Sequence, residues 1–396
     1  MSSEKRTILL FADHYLPGYR AGGAVRTIAN MVENLGDDFK FLIITRDRDL
    51  NENNPYQDCK INQWNSVGKA SVLYLSPDKL RLLNIASLMR DTAYDVLYLN
   101  SFFSCRFTCY PLFIRRFGIS WGKHVVLAPR GEFGKGALRI KSVRKYIYIW
   151  AAKLLHIYDN MSWQASSPYE TMDITRTIGH RAKKIHVAPD LLPVLSGKDY
   201  HSSNRASSRM EEGLRVIFLS RISPIKNLEF LLEILLSVTS PLSLNIYGPI
   251  EDQTCWHKCQ QLIARLGNNV TVAYCGPIKP ESVQAIFSAH DVFVFPTQGE
   301  NFGHVIYEAL SAGTSVIVSD KTPWLADQSG ALKVLPLTNR ASWIQAIESW
   351  ADFSIKDYSK QREAAYSYAK KYLKDSDALN ANRKLFDDHH LLSKTL

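Results

Sequence analysis

The sequence lacks a long apolar run. None of its windows resembles the roughly 20 apolar residues that a membrane-spanning helix needs, although 46% of its 396 residues are hydrophobic. The first residues, MSSEKRTILLFADHY, place charges before a short strand-like run that ends at Asp13, so the parts of a signal peptide are missing as well. We therefore expect a globular protein that stays in the cytoplasm, either soluble or peripheral to a membrane.

Metal-binding and disulfide patterns are also scarce. Six cysteines are scattered along the chain, and in a reducing compartment we expect them to be free thiols. Cys255 and Cys259 flank His257 in CWHKC, but no second Cys/His pair follows at the spacing of a zinc finger. Apart from Asp47 and Asp49 in TRDRDL, the strand ends carry no Asp-x-Asp pair. These absences predict that the protein holds no metal ion.

Acidic residues are outnumbered by basic ones, 38 Asp and Glu against 48 Lys and Arg, which gives a net charge of +10. This balance favours anionic partners: nucleic acids, phosphorylated small molecules or an anionic membrane surface. A nucleic-acid-binding protein would need a basic groove with stacking aromatic residues or a recognised module, and the sequence has neither. Nucleic-acid binding therefore stays an alternative that rests on charge alone.

What the sequence does contain is a regular alternation of short β-branched or aromatic runs with helix-like segments, the pattern of parallel sheets built from β-α-β units. In the first half we predict strands at Thr7–Ala12, Phe41–Thr45, Ser71–Leu75, Asp95–Asn100, His124–Pro129, Met161–Ser166 and Lys184–Pro189. In the second half we predict strands at Arg215–Ser220, Leu242–Gly248, Val270–Gly276, Asp291–Pro296, Ser315–Asp320 and Lys333–Leu337.

The length and these two series of strands predict an α/β protein of two Rossmann-like, doubly wound domains that face each other across a cleft. We place an N-terminal domain at 1–194, a polar, Ser-rich linker or exposed loop at 195–213, and a C-terminal domain at 214–374. A last helix over about 375–396 is expected to pack back on the first domain.

Two segments that directly follow predicted strands carry candidate phosphate-binding groups, because open α/β sheets bind ligands beyond the carboxyl ends of their strands. Gly22 and Gly23 follow the first strand and lead into a helix, where a bare backbone and a helix N-terminus favour an anion. A plain turn is the alternative. Arg221 can donate two hydrogen bonds to phosphate oxygens, and Lys226 adds a mobile charge five residues on. Here a solvated basic loop is the alternative.

A third segment, Pro296–Gly313, is the most specific. Glu300 lies in the loop after a strand, Gly303 gives a bare backbone near the start of a helix, and Glu308 sits in the first turns of that helix. Carboxylates accept hydrogen bonds from sugar hydroxyls, so this pair fits hydroxyls on either side of a phosphate. Favourable interaction with the helix dipole would explain Glu300 but hardly Glu308.

The stretch ENFGHVIYE, followed by ALSAG, resembles the Glu-x7-Glu signature of retaining glycosyltransferases of family 4, which have the GT-B fold. Arg221, Lys226, the Gly22–Gly23 loop and the segment YCGPI (Tyr274–Ile278) match that family in order and spacing, so the resemblance covers essentially the whole chain. It implies a hexosyltransferase that uses a nucleotide-diphosphate sugar and no other cofactor. The implied acceptor is a glycan or lipid-linked glycan in polysaccharide, O-antigen, capsule or lipopolysaccharide biosynthesis. A nucleotide-sugar epimerase on the same fold is the alternative.

The resemblance also implies roles for individual residues. Glu300 would contact the donor sugar, and Arg221 and Lys226 the diphosphate, as the catalytic set. In the implied donor-binding set, Glu308 would contact the ribose, Gly303 and His304 the phosphates, and Gly276, Pro277 and Ile278 would lie by the base. Asn301, Phe302, Gly22 and Gly23 complete this set.

At two positions many relatives carry a histidine and this chain does not. The strand that ends LYLNSFF offers Asn100 and Ser101, and APRGEF has Arg130 before its glycine. We assign Asn100, Arg130 and Gly131 to the acceptor side on the strength of the resemblance.

The segment Trp121–Tyr158 holds eight basic residues and one acid, Glu132. One helical stripe within it is apolar and is formed by Ile140, Val143, Ile147, Trp150, Ala151 and Leu154. A basic amphipathic helix with Tyr and Trp can lie on an anionic bilayer, which predicts a peripheral position on the inner face of the cytoplasmic membrane. A packed helix with a solvated basic face is the alternative.

Overall fold

The computed structural model describes residues 5–118, 123–139, 142–193 and 213–387. The chain divides into two compact units: unit 1 is Met1–Val194 with Asp377–Leu396, and unit 2 is Leu195–Ser376. Except for Gly213, the predicted linker over 195–213 lies outside the described residues.

Unit 1 is built on an eight-stranded sheet in the order β3-β4-β2-β1-β5-β6-β7-β8. All neighbours are parallel except β3, which pairs antiparallel with β4. The seven strands predicted for this half are confirmed, and β3 was missed. The strands are β1 (Thr7–Phe11), β2 (Lys40–Arg46), β3 (Trp64–Val67), β4 (Ala70–Leu75), β5 (Val96–Leu99), β6 (His124–Leu127), β7 (Ser162–Ala165) and β8 (Lys184–Val187).

The helices of unit 1 pack on the sheet through apolar stripes. In the first helix Val25, Ile28, Val32 and Leu35 are buried, as their helical spacing predicts. The described helices are α1 (Gly23–Leu35), α2 (Leu82–Asp91), α3 (Tyr110–Arg116), α4 (Lys135–Arg139), α5 (Ser142–Leu154), α6 (Pro168–Ile178) and, from the C-terminal end of the chain, α13 (Ala378–Asp387).

Helix α13 completes one face of the unit 1 core. Its Phe386 ring lies edge-on to Phe39, Phe41 and Tyr98, with ring centroids 5.3, 6.2 and 5.8 Å away. Aromatic contacts of this geometry stabilise beyond the area they bury. The C-terminal segment up to Asp387 therefore belongs to the first unit, although the whole of unit 2 precedes it in the sequence.

Unit 2 contains a six-stranded, fully parallel sheet in the order β11-β10-β9-β12-β13-β14. Its strands are β9 (Leu214–Leu219), β10 (Leu242–Tyr247), β11 (Val270–Gly276), β12 (Val292–Phe295), β13 (Ser315–Ser319) and β14 (Leu332–Leu335), which confirms the six predicted strands. Its described helices are α7 (Leu228–Leu235), α8 (Gln253–Ile263), α9 (Pro280–Ser288), α10 (His304–Ser311), α11 (Arg340–Ala351) and α12 (Ile355–Asp375).

No helix in the described parts of the chain combines the length and the apolar character needed to cross a bilayer.

Candidate functional site

The carboxyl ends of β9 and β12 form the topological switch point of unit 2. From β9 the chain adds β10 and β11 on one side, and then returns to place β12, β13 and β14 on the other. Open parallel sheets bind ligands at such a point, in the crevice outside the carboxyl ends of the strands. The loops that follow β9 and β12 carry Lys226 and Glu300, so the topology brings these two predicted residues together.

Hydrogen bonds join the two loops on either side of Lys226. The amide of Gln298 donates to the carbonyl of Ile225 (2.7 Å), and the side-chain amide of Asn227 donates to the carbonyl of Pro296 (2.9 Å). Asn227 adopts a left-handed φ of 61°, a conformation that asparagine tolerates better than most residues. The β9 loop is thus fixed against the β12 loop by its backbone as well as by its side chains.

Lys226 and Glu300 form an ion pair at this point. The ammonium nitrogen lies 2.5 Å from Oε2 of the carboxylate, and the two side chains are only 11% and 17% exposed. The same nitrogen lies 5.4 Å from the centroid of the Phe295 ring, within the range of a cation–π contact. The site therefore presents a cation and a carboxylate side by side, which can take a phosphate oxygen and a sugar hydroxyl respectively.

Gly303 ends the β12 loop and caps α10. Its φ of 84° is a left-handed conformation that residues with a Cβ rarely adopt. A Cβ placed there would lie 2.9 Å from Cδ1 of Ile306 and 3.0 Å from Cγ of Glu300. No side chain caps α10, and the first N–H groups of an α-helix have no intrahelical acceptor. This helix start can therefore receive an anion at a short distance from Glu300.

Three aromatic side chains in contact, Phe302, Trp324 and Tyr372, support the same loop, and the sequence analysis did not predict this cluster. The indole N–H of Trp324 donates to the carbonyl of Phe302 (2.6 Å), and the indole stacks on Tyr372 of α12 with ring centroids 4.6 Å apart. The ring of Phe302, itself buried, lies 5.8 Å from the indole. Trp324 and Tyr372 thus fix the backbone at Phe302, the residue directly before Gly303. Tyr368 and Tyr372 are four residues apart and so share one face of α12, and this spacing could have predicted an aromatic contact.

The other predicted residues of the Glu-x7-Glu segment lie on both sides of Gly303. Asn301 is half-buried in the loop, and His304 is buried at the first position of α10 with its ring 4.9 Å from that of Phe302. Glu308 is half-buried one turn further along α10. The segment that resembles the family signature is therefore a single loop and helix start.

Arg221 lies outside the ion pair of Lys226. Its guanidinium donates to the carboxylate of Glu251 at 2.9 Å, and both side chains are about one third exposed, at 35% and 38%. Glu251 follows β10. Position 248 in the same loop must be glycine, because a Cβ there would lie 1.9 Å from the carbonyl oxygen of Ser220. Arg221 thus faces the β10 side of the switch point.

The predicted base-binding residues lie further along the same edge of the sheet. Gly276 ends β11 with a φ of 76°, and its carbonyl accepts a hydrogen bond from the amide of Gly248 (2.9 Å). Pro277 and Ile278 follow it before α9. The hydroxyl of Tyr274 donates to the Gly248 carbonyl (2.9 Å), so the ends of β10 and β11 form one connected edge.

In unit 1 the three residues assigned to the acceptor side lie together in a polar network. The Nε of Arg130 donates to Oδ1 of Asn100 (2.8 Å), and its other nitrogens bond to Asp190 and to the hydroxyl of Tyr98. The amide of Gly131 donates to the carboxylate of Glu170 (2.6 Å). Burial raises the pKa of Tyr98 to about 12 and keeps its hydroxyl protonated. The guanidinium is therefore engaged by protein groups.

Gly22 and Gly23 lie in unit 1, at the start of α1. Gly22 has a φ of 63° and caps the helix without a side-chain hydrogen bond. The loop before it is held by Asp49, whose carboxylate accepts the amides of Tyr19 (2.9 Å) and Arg20 (3.1 Å). Asp49, one of the two aspartates in TRDRDL, thus orders the glycine loop.

The remaining candidate ligands are the histidines, cysteines and acidic residues that a metal ion could use. Within the described ranges, no group of three or more His, Cys, Asp or Glu residues is arranged to hold a metal ion. All six cysteines are free thiols, as predicted. Cys255 and Cys259 are buried, and burial raises the pKa of the Cys255 thiol to about 11.

Sequence comparison relates the C-terminal part of the chain to a known protein family. Residues 202–372 match the family model described as "Glycosyl transferases group 1". A D-inositol 3-phosphate glycosyltransferase of Nocardia farcinica is 27% identical over 175 residues, which cover 39% of this chain and 37% of that protein. An O-antigen chain mannosyltransferase B of Escherichia coli is 31% identical over 112 residues, 27% of this chain and 28% of that protein. The matches thus span little more than a third of these relatives at most.

Solved structures match over nearly the full length. Anabaena Alr3699/HepE, crystallised with UDP and glucose, aligns with a TM-score of 0.70 at 15% identity and covers 96% of this chain and 98% of its own. The sucrose-phosphate synthase of Thermosynechococcus elongatus aligns with a TM-score of 0.66 at 17% identity, over 97% and 100% of the two chains. The predicted GT-B fold is thereby confirmed, and residues 202–372 of this chain match the group 1 glycosyl transferases.

Proposed function

We propose that the protein is a glycosyltransferase that transfers a sugar from a nucleotide-diphosphate sugar to a glycan or lipid-linked glycan. The observation that carries this proposal is the pairing of Lys226 with Glu300 beside the start of α10, at the switch point of the unit that matches the family model. A cation and a helix N-terminus for phosphate, beside a carboxylate for sugar hydroxyls, are the groups that such a donor needs.

The donor would lie along the carboxyl edge of the unit 2 sheet. Three strand spacings of about 4.8 Å separate β11 from β12, so the edge from Gly276 to Glu300 is about 14 Å long. That length suits an extended donor with its base by Gly276–Ile278, its ribose by Glu308, its diphosphate by Lys226 and its sugar by Glu300. Arg221 would exchange its pairing with Glu251 for a phosphate oxygen.

Charge develops on the leaving nucleotide diphosphate as the glycosidic bond breaks. Lys226, Arg221 and the N–H groups at the start of α10 would stabilise that charge electrostatically, which is the main way in which fixed donors and cations lower a barrier. We therefore propose that transfer proceeds without a metal ion. A strict requirement for Mg²⁺ in the chemical step, with no turnover in EDTA, would contradict this part of the proposal.

Resemblance to known proteins supports a more specific reaction. The Glu-x7-Glu segment supports membership of family 4 and retention at the anomeric carbon, with Glu300 and Lys226 on the donor side. UDP in the Anabaena structure supports a nucleotide-sugar donor, and the O-antigen mannosyltransferase supports a role in the assembly of a cell-surface polysaccharide. A lipid-linked acceptor would place the enzyme at the inner face of the cytoplasmic membrane.

A thermal-shift panel of nucleoside diphosphates tests the donor site first. A ligand at 100 times its Kd stabilises the native state by about 2.7 kcal/mol, so the best base should stand out clearly. The stabilisation should be lost in Lys226→Ala and kept in Lys258→Ala, a matched control because Lys258 is 60% exposed and lies on α8. Equal stabilisation of both variants would contradict the assigned phosphate contact.

Incubation with the matching nucleotide sugar then separates the two enzyme classes. A glycosyltransferase releases nucleoside diphosphate when an acceptor is supplied and leaves the sugar stereochemistry of unused donor unchanged. Epimerised donor in the absence of any acceptor would instead support the epimerase on the same fold.

A further inference from the structure

The outward face of α5 is apolar and exposed to solvent. Val143, Ile147, Trp150 and Leu154 are 69%, 61%, 67% and 63% exposed, and their spacing of four, three and four residues puts them on one face of the helix. The packed face of α5 is the opposite one, where Ile149 and Ala152 are buried in the unit 1 core. Four residues of the predicted apolar stripe are therefore exposed and Ala151 is half-buried, although α5 itself packs on the unit 1 core. Ile140 lies outside the described residues.

A second pair of exposed apolar residues lies at the end of α3, which a hydrogen bond joins to the end of α5. Phe113 and Phe117 are 41% and 57% exposed, and their rings lie 4.4 Å apart. Arg116, between them and α5, donates from Nε to the carbonyl of Leu155 at 3.0 Å, which ties the end of α3 to the end of α5. We call the six apolar residues Phe113, Phe117, Val143, Ile147, Trp150 and Leu154 the α3–α5 surface.

The chain around this surface is strongly basic. Residues 101–158 contain eleven Lys or Arg residues and one acid, Glu132. The carboxylate of Glu132 faces inward, where it accepts hydrogen bonds from Ser101 Oγ (2.8 Å) and from the amides of Phe102 and Phe103 (2.7 and 2.9 Å). Of the cations, Arg115 is buried and Arg130 pairs with Asp190, so neither of these two contributes to the positive charge that a partner would meet.

Some of these cations are used inside the protein. The ammonium of Lys145 donates to the carbonyl of Ala137 (2.7 Å) and that of Lys153 to the carbonyl of Thr177 (2.7 Å), whereas Arg144 is exposed on α5. The attraction of this surface for an anionic partner is therefore weaker than the number of Lys and Arg residues in the sequence suggests. The exposed apolar side chains, which salt does not screen, must supply a larger share of any attraction.

We propose that the α3–α5 surface lies on an anionic lipid bilayer, with Ile147, Trp150 and Leu154 in the boundary between headgroups and acyl chains. Exposed Trp and aliphatic residues on one helix face, with Lys and Arg around them, are typical of helices that lie in the plane of a membrane. A second copy of the chain is a poor occupant, because a two-fold interface would bring two basic faces together.

The test is sedimentation with vesicles of phosphatidylglycerol and phosphatidylcholine, and with phosphatidylcholine alone, at about 0.1 M and about 1 M NaCl. The parent should pellet best with anionic vesicles at low salt. Changing Ile147, Trp150 and Leu154 together to Gln should lower the partition coefficient about tenfold or more. The matched control changes Leu83 and Leu325 to Gln, which are 81% and 73% exposed outside this surface, and should bind like the parent.

A second measurement locates the contact within the bilayer. Lipids brominated along the acyl chain should quench the tryptophan fluorescence of the parent, and the quenching should fall in Trp150→Phe while sedimentation changes little. Thermal melting checks that each variant is folded, and nucleoside diphosphate binding checks that the donor residues in unit 2, which the substitutions on α5 do not touch, are undisturbed. Equal pelleting of the triple Gln variant and the parent would overturn the proposal. So would a dimer in analytical ultracentrifugation that the triple variant loses, together with no pelleting of the parent.

Discussion

Substitution of Gly303 by alanine tests how tightly the candidate site is built. The substitution places a Cβ in a left-handed backbone, which destabilises by about 1 to 2 kcal/mol. The added carbon would also meet Cδ1 of Ile306 at 2.9 Å and Cγ of Glu300 at 3.0 Å, and such overpacking destabilises by about 1 to 3 kcal/mol more. We therefore expect the free energy of unfolding to fall by about 2 to 5 kcal/mol in sum.

We also expect a loss of turnover beyond what the loss of stability explains, because one of the two carbons that must move belongs to Glu300. A misplacement of about 1 Å in a reacting constellation can lower the rate about a hundredfold. Gly330→Ala is the matched control: its φ is 75°, but the nearest atoms lie 3.7 and 3.9 Å away in the flexible side chain of Gln361. It should lose only the backbone contribution of about 1 to 2 kcal/mol and keep its transfer activity.

The assays are urea unfolding and the steady-state rate of nucleoside diphosphate release from the donor sugar. Equal losses of stability in Gly303→Ala and Gly330→Ala, with turnover of the folded protein unchanged in both, would refute the assignment of Gly303 to the site. A loss of turnover in both variants would show that backbone strain at either glycine lowers turnover, and the effect would then not be specific to Gly303.

Three further predictions concern single residues. Glu300→Gln should keep the fold and lose most turnover, since a neutral amide replaces the charged acceptor; turnover within about threefold of the parent, or about 0.7 kcal/mol, would contradict a contact at the reacting sugar. Lys226→Ala should raise KM and lower kcat together, because its contact strengthens as charge develops, and a change in KM alone would contradict this. His290 is buried and neutral, with Nδ1–H donating to Ile286 (2.7 Å) and Nε2 accepting from Asn245 (3.0 Å), and burial lowers its pKa below 6.5. The unfolded chain takes up that proton first, so the free energy of unfolding should decline as pH falls below about 6.5, and less so in His290→Gln; equal declines in urea titrations would contradict the assignment.

Most of the fold could be predicted because parallel strands that are buried on both faces have nearly continuous apolar sequences. The exception was β3, Trp64–Val67, whose side chains are exposed or half-buried in alternation and whose four residues are too short for a periodic signal. Its hairpin partner β4 begins after a two-residue turn with Gly68 at a φ of 55°. A glycine at the first position of such a turn was a local signal that could have found it.

The network around Arg130 could not be predicted from the sequence. Arg130 bonds to Tyr98, Asn100 and Asp190, which are 32, 30 and 60 residues away along the chain. Read alone, an arginine after a strand indicates a ligand contact as readily as a buried structural cation. The ion pair with Asp190, which follows β8 at the same edge of the sheet, favours the second of these interpretations. Arg130 then acts as a buried cation that holds the ends of the strands together.

The candidate donor site was partly predictable for a related reason. Residue type and position after a strand identified Lys226 and Glu300 separately, because every carboxyl end of a parallel sheet is a possible ligand site. Their contact depends on strand order, since β12 pairs with β9 and not with β11, which precedes it in the sequence. Strand order follows from how long-range pairings and helix faces fit together, and no local pattern encodes it. The sequence therefore predicts which loops carry candidate ligand-binding residues, whereas the return of the chain across β9 decides that a lysine and a glutamate 74 residues apart form an ion pair.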